Sequence, residues 1–218
     1  MVLKVNNLTK SFKNTKVLDS ISFRVEESAA FGIFSKSGSG KTTLLSILMG
    51  LQKPDSGYFQ WFKNDKNKPA GLKVGAFFNQ ANFYANLSVL DNLKIIAEVK
   101  QINSAKSEIE KVLNELLISD YALFEYQTLS LTIKSLVGIA SALMGNPQVL
   151  VFDEPFAELD KEYSENILAI IQKKKAEGKT IIFASHKEEK IKSVCKEVII
   201  IEKGKIVKQG MLEEVFHI

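Results

Sequence analysis

Apolar positions along this chain switch repeatedly between a period of two and a period near 3.6, and the switches predict its elements. Residues 2 to 8, 21 to 25 and 58 to 62 carry short β-type patterns, with Ile21-Ser-Phe-Arg-Val25 in strict alternation. They predict an antiparallel layer. From Phe31 a buried strand is expected to run into the turn Ser35-Lys-Ser-Gly-Ser-Gly40 and then into an apolar helix through Leu44, Leu45, Ile47 and Leu48. Lys53-Pro-Asp-Ser-Gly57 reads as a turn, Lys63 to Pro69 as a polar loop, and Val74 to Phe78 as a strand ending at Asn79-Gln80.

From Ser88 to about Tyr126 the pattern turns helical. Ser88 is expected to cap one helix with Asp91 three residues on, and Ser107 another with Glu110. A third helix, from Ile133, carries Leu136, Val137, Ala140, Leu143 and Met144 and stops at Gly145-Asn-Pro147. These stripes are assigned to a core, so the segment is a helical insertion between strands of an α/β domain. Four apolar residues, Val149 to Phe152, then predict a buried strand that delivers Asp153 and Glu154 to its carboxyl edge. A helix from Lys161 to Glu177 and a strand Thr180 to Ala184 follow, the latter ending in Ser185-His186. Val198 to Glu202 and Lys205 to Val207 predict a last hairpin, with a short amphipathic tail after it.

Composition narrows the class. At 218 residues the chain is one large domain or a domain with a small subdomain, and 45% hydrophobic with 25% charged residues is the balance of a soluble globular protein. The formal net charge of +4 comes from lysines scattered among glutamates without interleaved aromatics. That is the pattern of solvated helix faces, so no nucleic-acid partner is expected. The longest uncharged run, Ser135 to Phe152, is broken by Gly145, Asn146 and Pro147 and reads as helix, turn and strand instead of a membrane span. No N-terminal signal pattern is present, and the single Cys195 excludes an internal disulfide. A cytoplasmic protein is expected, with any membrane association through a partner.

The turn after the first buried strand has the parts of a phosphate-binding loop: glycines that free backbone N–H groups, a helix N-terminus, and Lys41 aimed at a nucleotide's outer phosphates. Thr42 would set its hydroxyl on magnesium. Ser35 stands where the G-x-x-x-x-G-K-[ST] pattern has its first glycine, and a solvated Gly/Ser loop is the alternative reading. Adjacent carboxylates at a strand end are costly unless they meet a cation, which favours a functional Asp153 and Glu154. His186 is expected on the same edge. Gln80 could reach a metal or a water, Phe12 either stacks on a purine or folds onto its own hairpin, and His217 is expected in solvent.

In this order and spacing the residues resemble the ATP-binding subunits of ABC transporters nearly end to end. The resemblance implies a P-loop NTPase core with an N-terminal antiparallel layer and a helical subdomain, residues 81–146 set within 1–80 and 147–218. It implies ATP with Mg2+. Phe12 and Val17 fall with the nucleotide contacts, and Ser35, Lys36, Ser37, Gly38, Ser39, Gly40, Lys41, Thr42 and Thr43 form the Walker A loop. Gln80 falls at the Q-loop, Val149 to Asp153 at Walker B, Glu154 at the catalytic glutamate, Asp160 at the D-loop and His186 at the switch histidine. Thr42, Gln80 and Asp153 are then the magnesium contacts.

The signature departs from the family pattern. By register it is Leu129-Ser-Leu-Thr-Ile133, where only Leu129 and Ser130 match; Leu131 and Thr132 replace glycines and Ile133 a polar residue. In the family this segment closes over the γ-phosphate in a second subunit. The departure implies a chain that binds ATP but completes a partner's site poorly. Ser35 is expected to impose roughly 1–2 kcal/mol of strain if its position needs a positive φ, and Ser28-Ala29, in place of Gly-Glu, to matter little. The resemblance further implies a permease partner and a homo- or heterodimer of ATPases. Drug, peptide or bacteriocin exporters are the nearest likeness, and a non-hydrolysing regulatory subunit is the alternative. Phe77, Phe78, Phe83 and Tyr84 are either a docking surface for a membrane subunit or ordinary core.

Overall fold

The computed structural model describes residues 1–36, 38–62, 71–78 and 83–217. In chain order it runs through strands β1 (Leu3–Phe12), β2 (Thr15–Val25) and β3 (Ala30–Phe34), helix α1 (Lys41–Leu48), and strands β4 (Ser56–Trp61) and β5 (Val74–Phe77). Three helices follow, α2 (Val89–Val99), α3 (Ala105–Glu115) and α4 (Leu131–Leu143). Then come β6 (Val149–Asp153), α5 (Lys161–Ala176), β7 (Thr180–Ser185), α6 (Glu188–Val194), β8 (Glu197–Glu202), β9 (Lys205–Met211) and α7 (Leu212–Phe216).

A three-stranded antiparallel sheet has the order β2-β1-β4, and a six-stranded sheet the order β5-β6-β7-β3-β8-β9. All pairs of the larger sheet are parallel except the final β8–β9 hairpin. Both its faces are covered, which is why its strands read as continuous apolar runs. Val149, Val151, Ile182 and Ala184 face the layer of α1 and the small sheet, whereas Leu150, Phe152, Ile181 and Phe183 face the helices. Trp61 fastens the small sheet to the first layer by donating its Nε1–H to the Leu48 carbonyl at 3.0 Å. Where α4 crosses β5 the contact is so close that a Cβ on Gly75 would lie 2.0 Å from the Ala142 carbonyl oxygen. Only glycine permits that approach.

Caps mark the helix starts. Ser88 accepts from the Asp91 N–H as expected, Ser130 accepts from Ile133 and Asp160 from Tyr163. Ser107 does not cap: α3 already begins at Ala105, so Ser107 sits inside its first turn. The sequence pattern of Ser107 and Glu110 is a capping box only where the preceding residues are non-helical, and here Ala105 and Lys106 are good helix formers. Phe12 ends β1 opposite Thr15, leaving Lys13-Asn14 as the two-residue loop. Among the four clustered aromatics, Phe77 is buried, Phe78 packs beneath the sheet and Phe83 lies 5.0 Å from Tyr126, so the core reading holds for those three. Tyr84 alone of the four is exposed, at 64%. Buried Asn92 pins its backbone, accepting from the Tyr84 N–H at 2.8 Å and donating to the Tyr84 carbonyl at 3.0 Å. No helix among the described residues is long and apolar enough to cross a membrane.

Lys100 closes the C-terminal end of α4, donating to the carbonyls of Ser141 at 2.5 Å and Met144 at 3.2 Å. Burial pushes its ammonium down to about 8, against the attraction of Glu108. The unfolded chain therefore holds this proton more tightly, and folding gains stability as pH rises from about 8 towards 10.5. In urea titrations over that window, wild type is expected to gain up to roughly 3 kcal/mol relative to Lys100→Met.

Candidate active site

The parallel registry brings three strand ends to one edge. Phe34 of β3 pairs with Ser185 of β7, and Asp153 of β6 with Ala184. The residues that follow, Ser35, Glu154 and His186, therefore stand side by side. That edge is where an open α/β sheet places its ligands.

After β3 the chain turns through Gly38 at φ +76° and Gly40 at φ +97° into α1. Gly40 is required twice over: its conformation is left-handed, and a Cβ would lie 2.8 Å from the Val17 carbonyl oxygen. As the N-cap it offers no side chain, so the first-turn N–H groups face the cleft without a side-chain cap. Ser35 is not in the left-handed region, and the strain expected of it is absent. Instead it is buried and serves Lys41, whose Nζ donates to the Ser35 carbonyl at 2.9 Å and to Ser35 Oγ at 3.2 Å. Ser28, expected to matter little, does take a left-handed φ of 58° and is held there by bonds to Thr180 Oγ1 and the Gly178 carbonyl.

Four ionisable side chains meet across this edge. Lys41, only 7% exposed, has its Nζ 3.4 Å from Glu154 Oε1, and His186 Nδ1 lies 2.9 Å from the same oxygen. That contact sets the Nδ1–H tautomer of His186. Glu154 Oε2 accepts from Ser185 Oγ at 3.0 Å. The Glu154 backbone is left-handed, φ 52°, and its N–H donates to the Ala184 carbonyl at 3.0 Å. Such a conformation in a non-glycine residue is strained, and here two strands constrain it. Asp153 is buried; its Oδ2 accepts from Thr42 Oγ1 at 2.5 Å while Oδ1 has no partner among the described residues. Burial raises its carboxyl above the usual range, the neighbouring Glu154 charge adds to this, and Thr42 and Lys41 oppose it.

Around these groups lies a cleft of about 430 Å³, lined by Gly38 to Thr43, Asp153, Glu154 and His186, with Val17 and Ala157 at its wall. An orphaned buried carboxylate oxygen beside a threonine hydroxyl is a hard-oxygen donor set, the chemistry that suits Mg2+. Phe12 stands apart from the cleft lining, 45% exposed with the Lys10 ammonium 5.6 Å from its ring, so it is not folded into the hairpin core. Lys36 is exposed beside the loop. Ser37 and Gln80 lie outside the described residues.

The segment Leu129 to Ile133, expected to be the signature, lies elsewhere, at the N-terminus of α4. Leu129 and Ile133 are buried in the helical core, Ser130 is the cap, and Leu131 is 66% exposed. Thr132 donates its hydroxyl to the Glu158 carbonyl at 2.7 Å, which ties this segment to the turn that ends in Asp160. His217 ends α7 on the surface, near Lys208. Ser185 was not among the candidate residues. The cue for Ser185 was a hydroxyl adjacent to His186 at a strand end, which periodicity reads only as more strand.

A glycine loop, an axial lysine and a strand-end acidic pair define a P-loop nucleotide-binding protein. The chain belongs to the ABC transporter family, whose model matches residues 18–157, and it is accordingly an ATP-binding subunit of the transport-coupled ATPase type. It is 38% identical to an uncharacterized ABC transporter ATP-binding protein of Methanocaldococcus jannaschii over 98% of this chain and 79% of that one. A methionine import ATP-binding protein of Corynebacterium efficiens is 31% identical, over 98% of this chain and 64% of that one. A lantibiotic transport ATP-binding protein of Streptococcus pyogenes is 28% identical over 99% and 96% respectively. The fold matches the ATP-binding cassette MJ0796, solved as a dimer bound to ADP and Pi, with a TM-score of 0.84 at 24% identity over 96% of this chain and 98% of that one.

Replacing Gly40 with alanine is expected to destabilise the protein by about 2 kcal/mol or more, from the left-handed backbone and the clash with Val17. Chemical denaturation checks the first effect. Loss of binding of a fluorescent ATP analogue checks the second, that the loop no longer presents its N–H groups.

Proposed function

We propose that the cleft binds ATP with Mg2+ and hydrolyses it, through Lys41 on the outer phosphates, Thr42 and Asp153 on the metal, Glu154 on the attacking water and His186 on the γ-phosphate. The observation that carries this reading is the convergence of these five side chains from α1 and the ends of β6 and β7 on one edge. Magnesium, when bound, would neutralise phosphate charge. The protein's own part is geometric. The loop N–H groups and Lys41 orient the phosphates, Thr42 and Asp153 present oxygens, and Glu154 accepts hydrogen bonds on both carboxylate oxygens. Phe12, exposed at the end of β1, offers a ring face for the adenine, and Gln80 would complete the metal contacts.

As a whole, the chain is read as one ATPase domain whose residues 81–146 form the helical subdomain. It would work as a homo- or heterodimer beneath a transmembrane permease, peripheral on the cytoplasmic face, with Tyr84 and its neighbours towards the membrane subunit. Export of a peptide-like or drug-like substrate is favoured by the likeness to the lantibiotic transport protein over nearly its full length. The likeness to a methionine import protein keeps import as the competing direction. Leu131 and Thr132 place side chains where a partner's phosphate needs close backbone approach, and this supports slow turnover by the chain alone.

Steady-state ATP hydrolysis across a wide range of protein concentration tests the reading, with Lys41→Ala and Glu154→Gln as controls. Both substitutions are expected to lower kcat by at least about a hundredfold. A wild type that binds ATP yet turns over no faster than Glu154→Gln, even with its true partner subunit, would favour the regulatory reading instead. Restoring glycines with Leu131→Gly and Thr132→Gly together is expected to raise turnover of the homodimer roughly tenfold. No gain would mean that the altered signature is not what limits the chain.

A further inference from the structure

Glu154 is held by three side chains, and they differ in what ATP would ask of them. Lys41 and His186 both contact Oε1, and both are cations or proton donors that an incoming phosphate recruits. Ser185 contacts Oε2 and has no reason to leave. Its hydroxyl is also oriented. The Lys187 N–H donates to Ser185 Oγ at 3.1 Å, which occupies the oxygen as an acceptor and turns the hydroxyl proton towards the carboxylate. Ser185 is 3% exposed, and its carbonyl accepts from the Ser35 N–H at 3.4 Å, so water does not compete for the bond and the residue is fixed between β3 and β6.

We infer that Ser185 is the positioning residue of the hydrolytic step. It grips Glu154 Oε2 throughout turnover, so that Oε1, once Lys41 and His186 pass to the phosphates, is presented to the attacking water. The inference rests on the proposed role of Glu154 as the group that polarises that water. It also gives a use to the strained Glu154 backbone: a left-handed residue whose N–H bonds to Ala184 turns its side chain back onto the next residue of the same neighbouring strand.

The test compares Ser185→Ala, Ser185→Thr and Glu154→Gln with wild type at high protein concentration, measuring kcat with Mg-ATP and, separately, the affinity for a fluorescent ATP analogue. Ser185→Ala is expected to lose roughly tenfold in kcat, the worth of a hydrogen bond to a charged group, with nucleotide affinity changed by less than about twofold. Ser185→Thr keeps the hydroxyl and is expected to return to within about threefold of wild type. In the Glu154→Gln background, Ser185→Ala is expected to cost nothing further.

A Ser185→Ala protein as fast as wild type, while Glu154→Gln is dead, would overturn this inference alone. So would a loss in kcat matched by an equal loss of nucleotide affinity, which is the signature of a purely structural role. If Ser185→Ala does not bind the analogue at all, Ser185→Cys, nearly isosteric with a weak donor, takes its place and is held to the same expectation of slowed turnover at retained affinity. A wild type no faster than Glu154→Gln would remove the role of Glu154 and with it the role of Ser185.

Discussion

Burial of the parallel sheet on both faces decides where every charged group of its strands can stand. Val149 to Phe152 and Ile181 to Ala184 are almost fully enclosed, so a carboxylate within either run would carry an uncompensated desolvation penalty of several kcal/mol. Ionisable groups are therefore expelled to the carboxyl ends, and because β3, β6 and β7 are neighbours in register, the ends of β6 and β7 bring Asp153, Glu154 and His186 to one place beside Ser35 at the end of β3. The chemistry of this protein is a consequence of that packing. The helix α1, starting at the same edge, brings backbone N–H groups and Lys41 to the opposite wall.

Most of the resulting cluster is paired internally. Lys41 satisfies Glu154 and the Ser35 carbonyl, and Thr42 satisfies one oxygen of Asp153. The other oxygen of Asp153 has no donor among the described residues, in a setting where an unpaired buried acceptor costs about 1–3 kcal/mol. A hard cation would remove that penalty. Replacing glycine with Ser35 adds a second contact to Lys41 through its hydroxyl, so the departure from the loop pattern is accommodated by hydrogen bonding, with an ordinary backbone.

The segment Leu129 to Ile133 divides between core and surface. Ile133 turns into the helical core, where an apolar side chain is stabilising. Leu131 and Thr132 form its exposed part. Thr132 uses its hydroxyl on the Glu158 carbonyl, which couples the N-terminus of α4 to the turn before Asp160 within one chain. That bond has no equivalent if the residue is glycine.

Much of this was legible in one dimension. The alternation of Ile21 to Val25, the apolar run before Asp153, the Ser88 cap and the stop at Gly145-Asn-Pro147 are local facts of period and turn chemistry, and each element formed over its pattern, although β2 already begins at Thr15 and α4 at Leu131. The identities of Lys41, Thr42, Asp153, Glu154 and His186 as candidates were likewise available, because strand ends and glycine turns mark ligand edges. The helix start at Ala105, the partition of Phe77, Phe78, Phe83 and Tyr84 between core and surface, the relaxed φ of Ser35 and the strained φ of Ser28 were not. Those depend on which chain segment lies opposite, and sequence separation hides that: Ser28 is held by Gly178 and Thr180, and Ser185 meets Glu154 across 31 residues. Local periodicity determined the elements and the residues available for chemistry. Only the tertiary registry of β3, β6 and β7 decided which of them touch, because hydrogen-bond geometry is set by distances of a few ångströms that no spacing along the chain specifies.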